Sequence, residues 1–113
     1  MYHAHLTKDH WFKLSLFEQM ANIGSEVERA IKWKNRGNSE YADLANMRAL
    51  ELFDLTLADK KHGHGIKEIA RARELWLDFF IGENQYHQSD AHWHNYIGAY
   101  TQAAQFSRQN STT

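Results

Sequence analysis

The chain has 113 residues, which is enough for one domain spanning 1–113 with a hydrophobic core. The absence of cysteine excludes a disulfide framework, a thiolate nucleophile and Cys-type zinc or iron–sulfur sites. A net charge of −1 gives no global field toward nucleic acid or membrane.

A hydrophobic share of 42% and an aromatic share of 13% argue against disorder. The chain also has no proline, which removes the main helix breaker and points to long helices. Residues 1–10 lack a basic segment followed by an apolar one, so no signal peptide is expected. No stretch approaches the roughly 20 apolar residues that span a bilayer. The expected location is cytoplasmic.

The first pattern predicts a helix over about 8–36. Apolar residues recur at Phe12, Leu16, Met20, Ile23, Val27, Ala30 and Ile31, in the steps of three and four that make one helical stripe. Thr7 can cap its start, and Gly37 its end. Gly24 and Ser25 interrupt the pattern, and Ser25 with Glu28 has capping-box spacing, so a kink or restart there is the alternative. The stripe keeps its phase across Gly24, which favours continuity. At 1.5 Å per residue such a helix would be about 43 Å long, against about 30 Å for the next one. Unless it bends, its aromatic start carrying Trp11, Phe12 and Phe17 projects beyond its neighbour. These three residues are therefore candidates for an oligomer interface, the simplest partner being a second copy.

A second helix is predicted over about 39–58, capped by Asn38 or Ser39, with Tyr41, Leu44, Ala45, Met47, Leu52 and Leu55 on a broad apolar face. The run Lys60-Lys61-His62-Gly63-His64-Gly65 reads as a polar turn. A third helix follows over about 66–81, with Ile66, Ile69, Ala70, Trp76, Leu77 and Phe80 on one face. Residues 83–88 read as a loop. Ser89 then caps a fourth helix over about 90–108, with Trp93, Tyr96, Ile97, Tyr100, Ala103 and Ala104 on one face. Residues 1–7 and 109–113 read as flexible tails. No segment alternates with period two, so the expected fold is all-α: a four-helix, up-and-down, antiparallel bundle.

Three features could carry chemistry. The first is the set of His-x-His pairs His3/His5, His62/His64 and His92/His94. In an up-and-down bundle the chain start and the second turn share one end, which gathers His3, His5, His10, His62 and His64 near Lys60 and Lys61. His62, His64, His3 and His5 are the metal candidates, though neighbouring ammonium groups oppose a cation. His92 and His94 fall in a helix, where i and i+2 do not share a face. The second feature is basic: Arg29, Lys32, Lys34 and Arg36 surround Trp33, and Lys67 and Arg71 stand at i, i+4. These six are candidates for binding RNA or another polyanion. The third is the carboxylates, which lack the Glu-x-x-His pairs of di-iron bundles and mostly fall off the apolar stripes. No nucleophile signature or phosphate-binding glycine loop is present, and no cofactor is expected.

The stretch from Trp33 through Gly37 and Tyr41 to Ala45, continuing through Arg48 to Leu52, resembles a tetratricopeptide hairpin. It also resembles the HEPN-type bundles that accompany nucleotidyltransferases and some toxin systems. The ribonuclease members of that group carry an arginine followed four to six residues later by a histidine, and no arginine here has one. The likeness therefore implies a helical fold and no ribonuclease activity. Residues 21–86 are also similar to a small family of helical-bundle proteins with no assigned function. Together these readings lead to the expectation of a non-enzymatic interaction or oligomerisation module, an accessory or scaffold subunit of a larger, nucleic-acid-processing system.

Overall fold

The computed structural model describes residues 8–111, with side chains as far as Phe106. It is an all-α bundle. The helices are α1 (Lys8–Phe12), α2 (Leu16–Asn35), α3 (Ser39–Leu57), α4 (Gly65–Phe80) and α5 (Asp90–Ser111), with a 3-10 turn at Lys60–His62 between α3 and α4. Helix α5 runs past Arg108 into the segment expected to be a tail.

The first predicted helix breaks, but not at Gly24. The chain leaves the helix after Phe12 and restarts at Ser15, where Glu18 N–H donates to Ser15 Oγ at 3.1 Å and Ser15 N–H donates to Glu18 Oε1 at 3.3 Å. This Ser15/Glu18 pair is the capping box that is used. Ser25 and Glu28 have the same spacing but sit inside α2, where Ser25 Oγ donates back to Ala21 O. Because of the break, α1 packs against α3 instead of projecting. Trp11 is 2% exposed, and its indole N–H donates to Thr56 Oγ1 at 3.1 Å. The expectation that Trp11 lies on an exposed aromatic start is corrected: its surface is covered within the chain. Phe12 is half-buried against the same core, and Phe17 is exposed.

Helix α2 is the central element, packed between α3 and α5. Gly37, at φ 78°, ends its run and lets Asn38 N–H return to Trp33 O. Asn38 then caps α3 by accepting from Tyr41 N–H at 3.0 Å. Ala42, Ala45 and Ala49, all buried, give α3 a small-residue face, and Met20, Ile23, Val27, Ala30 and Ile31 supply the buried stripe of α2. Met47 and Tyr41 fall outside this face and are exposed.

Contacts at the two ends set the chain direction. At one end Lys34 of α2 donates to Phe80 O of α4, and Asn35 donates to Asp90 of α5. At the other, Gln19 of α2 meets Asp59 and His62 in the α3–α4 turn. The four long helices therefore run up, down, up and down. Helix α5 comes very close to α2 at Gly24, where an added Cβ would stand 2.1 Å from Ile97 Cγ2. Gly24 thus serves helix–helix approach without breaking the helix.

Candidate functional site

The seam between α4 and α5 is filled by aromatic rings. Trp76 stacks on Phe80 at 4.9 Å and meets Trp93 edge-on at 5.3 Å. Trp93 meets Tyr96 at 5.8 Å, and Tyr96 meets Tyr100 at 5.3 Å. Spacings of three and four along each helix put these rings on one side. The Tyr100 hydroxyl donates to Glu68 Oε1 at 2.9 Å. Burial raises the pKa of both tyrosines; the neighbouring hydroxyl and Glu68 push Tyr100 further up, so both hydroxyls stay protonated.

Where α4 and α5 part, a groove of 150 Å³ opens, lined by Glu68, Arg71, Ala72, Leu75, Gln88, His92, Trp93 and Tyr96. The two buried tryptophans beside it differ in hydrogen bonding. Trp76 donates its N–H to Asn46 Oδ1 at 2.7 Å, across to α3. Trp93 is 2% exposed, and its Nε1 finds no acceptor among the described residues. Gln88 Oε1, also buried, finds no donor there either. An unmade hydrogen bond at a buried polar atom costs about 1–3 kcal/mol. Both atoms belong to residues that line the groove, and each is itself covered by the fold.

The loop before α5 fixes Gln88 through its backbone. Gln88 N–H donates to Asn84 Oδ1 at 2.9 Å, and Asn84 Nδ2 donates to Gln88 O at 2.8 Å. The Asp78 carboxylate accepts from Gln85 and Tyr86 N–H, and Ser89 Oγ accepts from His92 N–H at the start of α5. At the rim the Arg71 guanidinium lies 4.7 Å from the Tyr86 ring centre. Arg71 is thus a groove residue, separate from the other basic candidates.

Those candidates do not form one surface. Arg29, Lys32 and Arg36 share a face of α2 with Trp33, and Lys32 Nζ and Arg36 Cζ lie 5.4 and 5.6 Å from that ring's centre. Arg29 and Trp33 join Tyr41, Leu44, Ala45 and Arg48 around a second pocket of 240 Å³. Glu26, expected on a solvated face, is buried there instead: Arg29 reaches its Oε1 at 2.7 Å and Arg48 its Oε2 at 3.9 Å. Lys34 points elsewhere, donating to Phe80 O at 3.2 Å and lying over the Phe79 and Phe80 rings. Lys67 is exposed on α4.

His62 belongs to a buried polar knot. Gln19, with no exposed surface, donates Nε2 to Trp11 O and to Asp59 Oδ2, each at 2.9 Å, while its Oε1 accepts from His62 Nε2 at 2.7 Å. Lys61 pairs with Asp59 and donates to Phe12 O. Burial would raise the Asp59 pKa, but hydrogen bonds from Lys61 and Gln19, with the Lys61 charge, outweigh it and hold the carboxyl below its ordinary range. Burial holds the His62 pKa below the usual histidine value, and Lys61 adds to this against the opposing charge of Asp59. His62 is therefore committed to tying α2 to the α3–α4 turn. His64 is exposed and makes no capping bond at the start of α4. His3 and His5 lie outside the described residues. Among the described residues no three His, Cys, Asp or Glu side chains converge where they could hold a metal ion. Nor is any described helix long and apolar enough to cross a membrane.

Comparison of the chain with protein-family models, with curated proteins and with solved structures returned no match.

Arg48 and Glu68 escaped the sequence reading because each acquires its role from a residue distant in the chain, Glu26 and Tyr100 respectively. Gln88 escaped it because the groove closes on that side chain only once α4 and α5 pack. The Trp93, Tyr96, Tyr100 spacing was the one signal of the groove, and it reads equally as core.

Proposed function

We propose that this chain is a non-enzymatic interaction module, an accessory or scaffold subunit, and that it recognises a protein partner through the α4–α5 groove. The observation that carries the reading is the concave opening between α4 and α5, whose lining includes Ala72, Leu75, Trp93 and Tyr96. The rim fits the same reading: Arg71 and the half-exposed Tyr86 are of the residue types that anchor interfaces. Self-association belongs to the proposal through the exposed Phe17, with Trp11 removed from it.

Selection of displayed peptides on the wild-type chain, with counter-selection on Ala72→Leu, tests the reading. Ala72 lines the groove and is 3% exposed in the core, so a leucine crowds both; far-ultraviolet circular dichroism and urea unfolding check that the variant remains folded. Sequences that bind wild type and not the filled groove are expected. Binders indifferent to the filling would refute it.

A second reading rests on a different observation. Cations flank Trp33 at stacking distance, beside Tyr41, as on surfaces that track single-stranded nucleic acid. We propose Arg29, Lys32 and Arg36 as that surface. Binding of single-stranded RNA that falls steeply with salt is its expected signature; no binding at low salt contradicts it.

A further inference from the structure

We infer that the pocket between α2 and α3 holds one guanine base of single-stranded RNA: the Arg29 and Arg48 guanidinium groups read the acceptor edge of the base, and Lys32 and Arg36 meet the phosphates beside it. The inference rests on the reading of Arg29, Lys32 and Arg36 as an RNA surface and adds the base which that surface selects.

The pocket of 240 Å³ is lined by Arg29 and Trp33 of α2 and by Tyr41, Leu44, Ala45 and Arg48 of α3. A cavity of about 150 Å³ accepts a benzene-sized group, so this pocket has room for a base of two fused rings. Leu44 and Ala45 give it an apolar surface. The Trp33 and Tyr41 rings, edge-on at 5.0 Å, supply the aromatic groups on which a base stacks. The charged lining residues are both arginines, and no carboxylate is among them. Both reach solvent, the Arg29 side chain being 56% exposed and the Arg48 side chain 30%. The buried Glu26 carboxylate lies 2.7 Å from Arg29 and 3.9 Å from Arg48, so one anion holds two guanidinium groups from different helices toward each other.

A guanidinium carries donors and no acceptor. It therefore matches a base edge made of acceptors. Guanine presents two, O6 and N7, on one edge, whereas adenine puts an amino donor in place of O6. Lys32 Nζ and Arg36 Cζ lie 5.4 and 5.6 Å from the Trp33 ring centre, which sets two further cations beside the aromatic wall, where the flanking phosphates of a stacked base would run. The carboxylate of an acidic peptide would answer the arginines but bring no ring to Trp33 and Tyr41.

The test is fluorescence anisotropy of the full chain with short labelled uridine RNAs that carry guanine, adenine or no base at one central position. At low salt the guanine RNA is expected to bind about tenfold more tightly than the adenine RNA, and the abasic RNA most weakly. Arg48→Lys keeps the charge beside Glu26 and removes the planar fork. It is expected to reduce the guanine preference several-fold while affinity for the adenine RNA and the salt slope stay nearly unchanged. Arg29→Lys is expected to do the same at a more exposed position, and urea unfolding checks that each variant remains folded. A guanine preference that survives both substitutions would overturn the reading of the base by these arginines. Equal binding of the three RNAs would overturn the base pocket and leave the cationic surface. No binding of any RNA at low salt, or binding of poly-glutamate as tight as that of the RNAs, would overturn both.

Discussion

Gly24→Ala tests the packing that places α5, and with it Trp93. In an isolated helix this change stabilises, because alanine exceeds glycine in helix propensity by about 1 kcal/mol. Here the new Cβ would stand 2.1 Å from Ile97 Cγ2, with Ile97 Cβ and Cδ1 both at 3.3 Å. Ile97 cannot swing aside: a β-branched residue in a helix has one strongly preferred χ1. Either α5 retreats by more than an ångström or Ile97 leaves its rotamer. Overpacking of this kind costs about 3 kcal/mol, the upper end of the usual range. The net expectation is a loss of about 2 kcal/mol, read by urea unfolding followed by tryptophan fluorescence. Ile97→Ala alone should cost about 2–5 kcal/mol through its cavity. In the double variant the methyl added at position 24 enters that cavity, so the two losses should fall short of additivity by about 1–3 kcal/mol. If Gly24→Ala stabilises the chain by the propensity gain alone, α2 and α5 do not approach as described.

Three further outcomes follow. Trp11→Ala should cost about 3–5 kcal/mol in urea unfolding while leaving the sedimentation behaviour of the chain unchanged, because Trp11 is buried within one chain; loss of a dimer without loss of stability would contradict that placement. His62 is held below the ordinary histidine value of 6.5, so as pH falls from about 7.5 to about 5 the unfolded chain takes up a proton that the folded chain resists, and stability falls. His62→Gln should flatten that slope, while the Asp59 contribution, present above pH 3.8, is lost only at lower pH as that carboxyl protonates; identical slopes in wild type and variant would refute the role of His62. Lys32→Ala with Arg36→Ala should weaken low-salt RNA retention about tenfold or more and reduce the salt slope by about 1.4, whereas Lys34→Ala, whose ammonium is spent on Phe80 O, should leave both nearly unchanged.

Most of the helical frame was legible in the residues. The boundaries of α3 and α4 agree with their apolar periodicity and caps to within a residue, and α5 begins where Ser89 placed it. The break between α1 and α2 was hidden because Phe12 and Leu16 stay four apart, so the stripe runs through a gap in the helix. The deciding signal, Ser15 with Glu18, has the same form as Ser25 with Glu28; burial of Trp11 against α3 selects between them. Buried polar residues were the least legible. Gln19, Asn46, Thr56 and Asp59 look like surface residues until partners 30–45 positions away satisfy them. The groove has the converse origin. Its tryptophan was visible in the sequence, but that Trp76 is satisfied and Trp93 is not depends on which helix lies opposite each indole.

The most direct test of groove recognition is a chemical-shift footprint of a selected peptide on the ¹⁵N-labelled chain. The largest shifts are expected on Ala72, Leu75, Gln88 and the Trp93 indole. A footprint confined to Trp33, Tyr41 and Arg48, with the Trp93 signal unmoved, would contradict it.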